Sequence, residues 1–499
     1  MKGRKKMRNQ FILAIDAGTS GIRTILYDYH SSEIAATYSE FTQITPEPGL
    51  LEHDALEIWN VTKDLISQTL KKAGTSPENI AAIGVTGQRS TVVAWHKTTG
   101  EPVHNALVWQ DLRTRKRCKE LSDLIGMEVS TISAFTKFEW LLDHVPNCRE
   151  DVEKGEVLIG TLDSWLVWNL TGGEAFVTDP SNAVTTMMWL PPLGEWSPEV
   201  AQIIGMPAEK LATIVPSSHV YGSTYPEAFG AEIPVAAIAG DQQAAMFGHL
   251  CREPGSGKAT YGTSVMVNVN TGEEWIYSEK LNSLALWRLG GQDEFCLEGT
   301  VITGGASISL VKDLRILETV NESLALSESV PDSGGVFFIP ALQGLGTPYM
   351  DPEARGALFG LTRSTTRAHI TRAVLEGIAF RTRQVVETLR EVAPFPALET
   401  LRVDGGMAAN DAFLQMQADI LDINIERPNT NQVTSLGIAY LAGLAVGFWA
   451  SEEEIKQSKV RGKIFTPGDN AADMQERYKH WEKSVDTVRA LTATEYKRS

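Results

Sequence analysis

Residues 11–28 read FILAIDAGTSGIRTILYD, two apolar strands flanking a tight polar turn that holds Asp16, Gly18, Thr19, Ser20 and Arg23. The turn carries the parts a nucleotide phosphate needs. Gly18 permits close backbone approach, Thr19 and Ser20 offer hydroxyl and amide donors, and Arg23 supplies positive charge. Asp16, at the strand end, can hold a metal through water. An ordinary hairpin with a Gly-Thr-Ser turn fits the same residues, so the stretch alone leaves both readings open. It is neither a P-loop, which needs G-x-x-x-x-G-K-[ST], nor a Rossmann fingerprint, which needs G-x-G-x-x-G opening a helix.

A second strand-turn-strand, Lys258 to Thr271 (KATYGTSVMVNVNT), repeats the Gly-Thr-Ser turn. Two such openings in a chain of 499 residues, too long for one core, point to two similar halves. In the first, strands at Ile80–Val85, Val93–His96 and Val157–Gly160 alternate with amphipathic stretches such as Asp54–Lys71, the α/β pattern. In the second, Glu298–Ser309, Gly335–Pro340 and Leu401–Gly406 read as strands or strand ends, with helices over Arg367–Val392 and Ala409–Leu421. The joint is expected within HLCREPGSGK, residues 249–258, dividing the chain into 1–250 and 251–499. A surface helix is expected from Ala471.

The net charge of −17 argues against bulk binding to nucleic acid or to an anionic membrane. Leu436–Ala450, LGIAYLAGLAVGFWA, is the most apolar long run, but it falls short of the roughly 20 residues of a membrane span. Its small residues suit a buried, closely packed helix. Four scattered cysteines, Cys118, Cys148, Cys251 and Cys296, suggest neither a disulfide framework nor a zinc site and fit a reducing cytoplasm. The basic start MKGRKKMRNQ reads as a frayed tail.

Residues 233–249, IPVAAIAGDQQAAMFGH, end an apolar strand at Gly240 and put Asp241 and Gln242 at the mouth of a helix, where ligands of α/β proteins gather. Asp241 is there either a catalyst or a helix cap worth about 1 kcal/mol. Glycine clusters at 303–307, 344–348 and 403–407 share this layout and can expose backbone amides to anions and ribose.

Ordered matches then run end to end: DAGTSGIRT at 16–24, GLLEHDALEIW at 49–59, IAAIGVTGQR at 80–89, ALVWQDLRT at 106–114, GTLDSWLVW at 160–168, IAGDQQAAMFG at 238–248, GTPYMDPEARGALFGLTR at 346–363 and RVDGGMAAN at 402–410. Through them the chain resembles the FGGY carbohydrate kinases, and within them their glycerol kinase branch. The resemblance implies an α/β fold of two RNase H-like, actin-like ATPase domains with an ATP and substrate cleft between them. It also implies ATP and Mg²⁺ as cofactors. Carried over by position, Asp16 and Asp241 would serve the metal, and Thr19, Ser20, Arg23, Thr263, Gly305, Gly406 and Asn410 would hold ATP. Asp241 would be the catalytic base, with Arg89, Ser90, Trp109, Ile132, Gln242 and Met266 around the acceptor alcohol.

At three of these positions the chain departs from the glycerol kinase pattern: Ser90 stands for a glutamate, Ile132 for a tyrosine and Met266 for a phenylalanine. The implied reaction is phosphorylation of a polyol hydroxyl, with glycerol first and erythritol, ribitol, xylulose or ribulose as alternatives. A non-catalytic actin-like ATP switch is the rival from another class. The implied partner is a small polyol or sugar, without nucleic acid or membrane insertion, in a cytoplasmic homodimer or homotetramer.

Overall fold

A computed structural model describes residues 10–126, 128–191, 193–393, 398–458 and 462–495; the basic start lies almost wholly outside them. The chain divides into two compact units. The first contains Met1–Leu250, Leu284–Glu294 and Gln432–Lys459, and the second contains Cys251–Ser283, Phe295–Asn431 and Val460–Ser499. Two segments from the second half of the chain therefore complete the first unit.

The first unit is built on a six-stranded sheet. Strands β1 (Phe11–Ala17), β2 (Gly21–Tyr27) and β3 (Glu33–Glu40) form an antiparallel meander, with Asp16 opposite Arg23. On its other side β1 runs parallel to Ile80–Gly87, which runs parallel to Pro234–Gly240. Ala17 and Gly240 both pair with Gly87, so the segments that follow, beginning at Gly18, Gln88 and Asp241, leave the sheet at one carboxyl edge. The sequence thereby delivers three of its motifs to one line.

Helix α1 (Ala55–Ala73) covers β2 and β3. Asp54 caps it by accepting from the Leu56 and Glu57 amides, and Gly74 ends it in the left-handed conformation. Its Thr69 hydroxyl lies 2.6 Å from that of Thr24 on β2. A smaller sheet orders the short strand Glu52–His53, then Ala106–Leu107, Val92–His96 and Val157–Thr161. The apolar run forms a buried helix over Val433–Ala445, and residues 446–450 leave it. A Cβ on Gly437 would come within 1.8 Å of the Ala244 carbonyl, so this helix meets Asp241–Gly248 backbone to backbone.

In the second unit, the hairpin of Gly257–Tyr261 and Val265–Gly272 pairs on one side with residues 295–301 and on the other, in parallel, with Thr400–Asp404. Asn424–Arg427 and Lys463–Phe465 extend that sheet. Helices Arg367–Val392, Asp411–Leu421 and Ala471–Glu495 occur where they were expected, within two residues at one end. In Glu298–Ser309 the strand stops at Val301 and a helix starts at Ala306. Among the described residues, no helix is long and apolar enough to cross a membrane.

Candidate active site

At the carboxyl edge of the first unit, Asp16 is half-buried and accepts a bond at 3.4 Å from the Ser435 hydroxyl. Arg23, its cross-strand partner, donates to Gln432. Burial raises the Asp16 pKa and the negative charge of Asp241 adds to it, while Arg23 and Ser435 oppose; the result is about 6. Gln432 and Ser435 had no signal in the sequence, because they lie more than 400 residues beyond their partners.

Asp241 opens the helix Asp241–Gly248, but Gly240 occupies the cap position and no side chain caps the helix. The capping alternative is thereby corrected. One oxygen of Asp241 accepts the Gln242 amide at 2.7 Å, and Arg89 Nε lies 3.6 Å from the same oxygen, Oδ1. The strand end before Asp241 has its own support. The Gly240 amide donates to Ser181 Oγ at 2.8 Å, and that hydroxyl donates to the buried carboxylate of Asp179. Asp179 also accepts from Ser217 Oγ at 2.6 Å and from both nitrogens of Asn182. This fully buried hub was missed in the sequence, where TDPSN resembles any turn before a helix.

Trp109, expected beside the acceptor alcohol, donates its indole N–H to Thr19 Oγ1 at 3.0 Å. Its loop is fixed by a buried charge cluster: Arg113 grips Asp111 through Nε at 2.8 Å and Nη2 at 2.9 Å, and reaches Glu52 at 2.6 Å. Ser20 stands exposed at the turn. Ser90 is buried and adopts a left-handed backbone, φ 63°. Ile132 is 55% exposed. The loop that carries it is anchored by Lys137, whose ammonium donates to the carbonyls of Thr131 and Ser133, the latter at 2.9 Å. Burial lowers the Lys137 pKa to about 8.

The remaining expected residues belong to the second unit. Its Gly-Thr-Ser turn is held by main chain: Gly304 and Ala306 donate to the Thr263 carbonyl at 2.9 and 3.2 Å, and Gly305 donates to Gly262 at 2.9 Å. A Cβ on Gly305 would sit 2.7 Å from the Gly262 carbonyl. Gly405, at φ +91°, leaves 2.5 Å between such a Cβ and the carbonyl of Tyr261, whereas Gly406 faces open space. Thr263 is exposed, and Asn410 caps Asp411–Leu421 by accepting the Phe413 amide at 2.8 Å. Met266 accepts the Thr300 hydroxyl on its sulfur at 3.4 Å. The first unit thus gathers Asp16, Thr19, Ser20, Arg23, Arg89, Ser90, Trp109, Asp241 and Gln242, and the second Thr263, Gly305, Gly406 and Asn410.

Comparison with known proteins gives a consistent result. Family models for the FGGY family of carbohydrate kinases match residues 11–248 with the N-terminal domain and 257–446 with the C-terminal domain. "Glycerol kinase 2" of Thermotoga maritima is 45% identical over 487 residues, covering 95% of this chain and 98% of that protein. Glycerol kinase of Trichlorobacter lovleyi is 44% identical, with the same two coverages. Among solved structures, Plasmodium falciparum glycerol kinase with ADP superposes with a TM-score of 0.90 at 30% identity, covering 96% of this chain and 98% of that one.

Proposed function

The chain belongs to the FGGY family of carbohydrate kinases, an ATP-dependent kinase family, and from that premise we propose that it converts glycerol to glycerol 3-phosphate. The observation that carries the reading is the meeting of two groups within the first unit. Asp16 stands beside the Thr19 turn, and Asp241 pairs with Arg89 near enough for its charge to raise the Asp16 pKa.

A neutral alcohol is a poor nucleophile, so a carboxylate within reach must take its proton as the phosphoryl group leaves ATP. Asp241 is that base. Arg89 orients it and, with Gln242, holds the acceptor; by their matched positions Trp109, Ser90, Ile132 and Met266 belong to the acceptor set. Thr19, Ser20 and Arg23 take the phosphates, and Thr263, Gly305, Gly406 and Asn410 hold the rest of ATP.

Asp16 and Asp241 suit Mg²⁺ by the chemistry of their donors: carboxylate oxygens are its ligands, and a cation would offset the burial and the Asp241 charge that raise Asp16. Among the described residues no cluster of three or more His, Cys, Asp or Glu side chains could hold a metal. Phosphate oxygens and water would complete the set. When bound, the ion neutralises charge on the transferring oxygens. We also place the protein in the cytoplasm as a homodimer or homotetramer, the cytoplasm because its four buried cysteines form no disulfide.

Ser90 favours a second reading, a longer polyol or a ketose, since a short buried hydroxyl replaces a charged acceptor in the family pattern. ADP release measured across glycerol, erythritol, ribitol, xylulose and ribulose decides between them. Strong turnover on a longer substrate with negligible turnover on glycerol sinks the first choice. Asp241→Asn should lower kcat at least about a hundredfold, and undiminished turnover would remove Asp241 from the base role.

A further inference from the structure

Five side chains close a hydrogen-bonded ring that begins and ends on Thr19. Gln43 Nε2 donates to the Thr19 carbonyl at 3.1 Å, and Gln43 Oε1 lies 3.0 Å from His53 Nε2. The other imidazole nitrogen, Nδ1, is 3.4 Å from Gln88 Nε2. Gln88 Oε1 accepts the Thr91 hydroxyl at 3.0 Å, Thr91 Oγ1 accepts the Trp109 amide at 3.3 Å, and the Trp109 indole returns to Thr19 Oγ1 at 3.0 Å.

The direction of donation round the ring fixes the imidazole. Gln43 commits its amino group to Thr19, so its oxygen must accept and His53 Nε2 must carry hydrogen. Gln88 gives its oxygen to Thr91, so its amino group must donate and His53 Nδ1 must be bare. Only the neutral Nε2–H tautomer satisfies both neighbours; an imidazolium would set two donors against each other at Nδ1. Burial agrees with this assignment, pushing the His53 pKa down to about 4. Phe41 and the imidazole pack in a T-shaped pair, with centroids 4.8 Å apart.

The two ends of the ring serve different chemistry. Thr19 lies in the turn read as the phosphate contact, while Gln88 immediately precedes Arg89, the partner of Asp241. Gln88 is also tied by its backbone N–H to the Ala17 carbonyl at 2.9 Å. Moving the Thr19 turn therefore either breaks the ring or drags Arg89 with it. We propose that His53, as the Nε2–H tautomer, is a positioning residue that couples the phosphate turn to the acceptor side through Gln43 and Gln88. The proposal rests on reading Thr19 as a phosphate contact.

The test uses the full-length enzyme with ATP and its best polyol. His53→Leu removes both ring bonds and should lower kcat/KM for ATP and for the polyol together, each by about tenfold or more, with a larger share of ATP hydrolysed without transfer. His53→Gln keeps one donor and one acceptor on a planar group and should recover both values to within about threefold. The ¹⁵N spectrum of histidine-labelled protein should show a bare Nδ1 and a protonated Nε2 for His53. An Nδ1–H tautomer overturns the proposal, as does a folded His53→Leu variant with both values near wild type. If His53→Leu does not fold, the tautomer and His53→Gln decide, and a glutamine variant slowed by about tenfold counts against the coupling. Failure of the phosphate reading shows separately, as a wild-type KM for ATP in Thr19→Ala.

Discussion

The two Gly-Thr-Ser turns share a sequence and a place between two strands, yet they are held by opposite means. The first, at residues 18–20, is fixed by side chains: Gln43 and Trp109 bind Thr19, and His53 and Gln88 link them. The second, at 262–264, is fixed by main chain from the loop 303–306, and neither Gly305 nor Gly405, which abuts Tyr261 just before the turn, has room for a Cβ. A short motif therefore specifies a backbone shape, and the surroundings decide which residues can be changed without losing it.

Gly405→Ala should break the second turn outright. It adds a Cβ at φ +91° and 2.5 Å from the Tyr261 carbonyl, so a loss of about 3 kcal/mol in urea unfolding is expected, with a raised KM for ATP. The first turn should show its strain as charge. Asp16 is raised in the folded chain, so between about pH 4 and pH 6 the folded state keeps a proton that the unfolded state has released, and stability falls as pH rises. His53 is lowered and acts oppositely: the unfolded state takes a proton below about pH 6.5 that the folded state refuses until about pH 4. Asp16→Asn should thus gain about 1–2 kcal/mol at pH 7, a gain that disappears near pH 4, while phosphoryl transfer collapses. Denaturant midpoints across that range check the sign. Gly18→Ala should be the mildest change, because its Cβ would meet the Gly21 carbonyl at an ordinary 3.4 Å. Stability within about 1 kcal/mol of wild type is expected, and any rise in the KM for ATP then reports phosphate approach rather than folding.

Both hairpins, the strand end at Gly240 and the helix over Arg367–Val392 were legible because alternation, turn residues and helical spacing are local. What escaped notice is long-range. His53 was visible only as part of a matching motif, and nothing near it in sequence indicates Gln43 or Gln88 as partners. Ser181, which takes the Gly240 amide, and Asp179 behind it lie some 60 residues earlier in the chain. Lys137 looks like a surface lysine until its helix is packed, and only then do two carbonyls become its partners. Position alone puts Trp109 beside the acceptor, and only the fold shows its indole N–H bonded to Thr19.

The helix Val433–Ala445, seated on the Ala244 carbonyl at Gly437, has a consequence for the order in which the protein becomes functional on the ribosome. Together with Gln432 and Ser435, it supplies the last contacts of Asp16, Arg23 and the Asp241 helix. A nascent chain that has already made every strand of its first sheet still lacks the helix that packs on Asp241–Gly248, and can complete its first unit only when translation is nearly done.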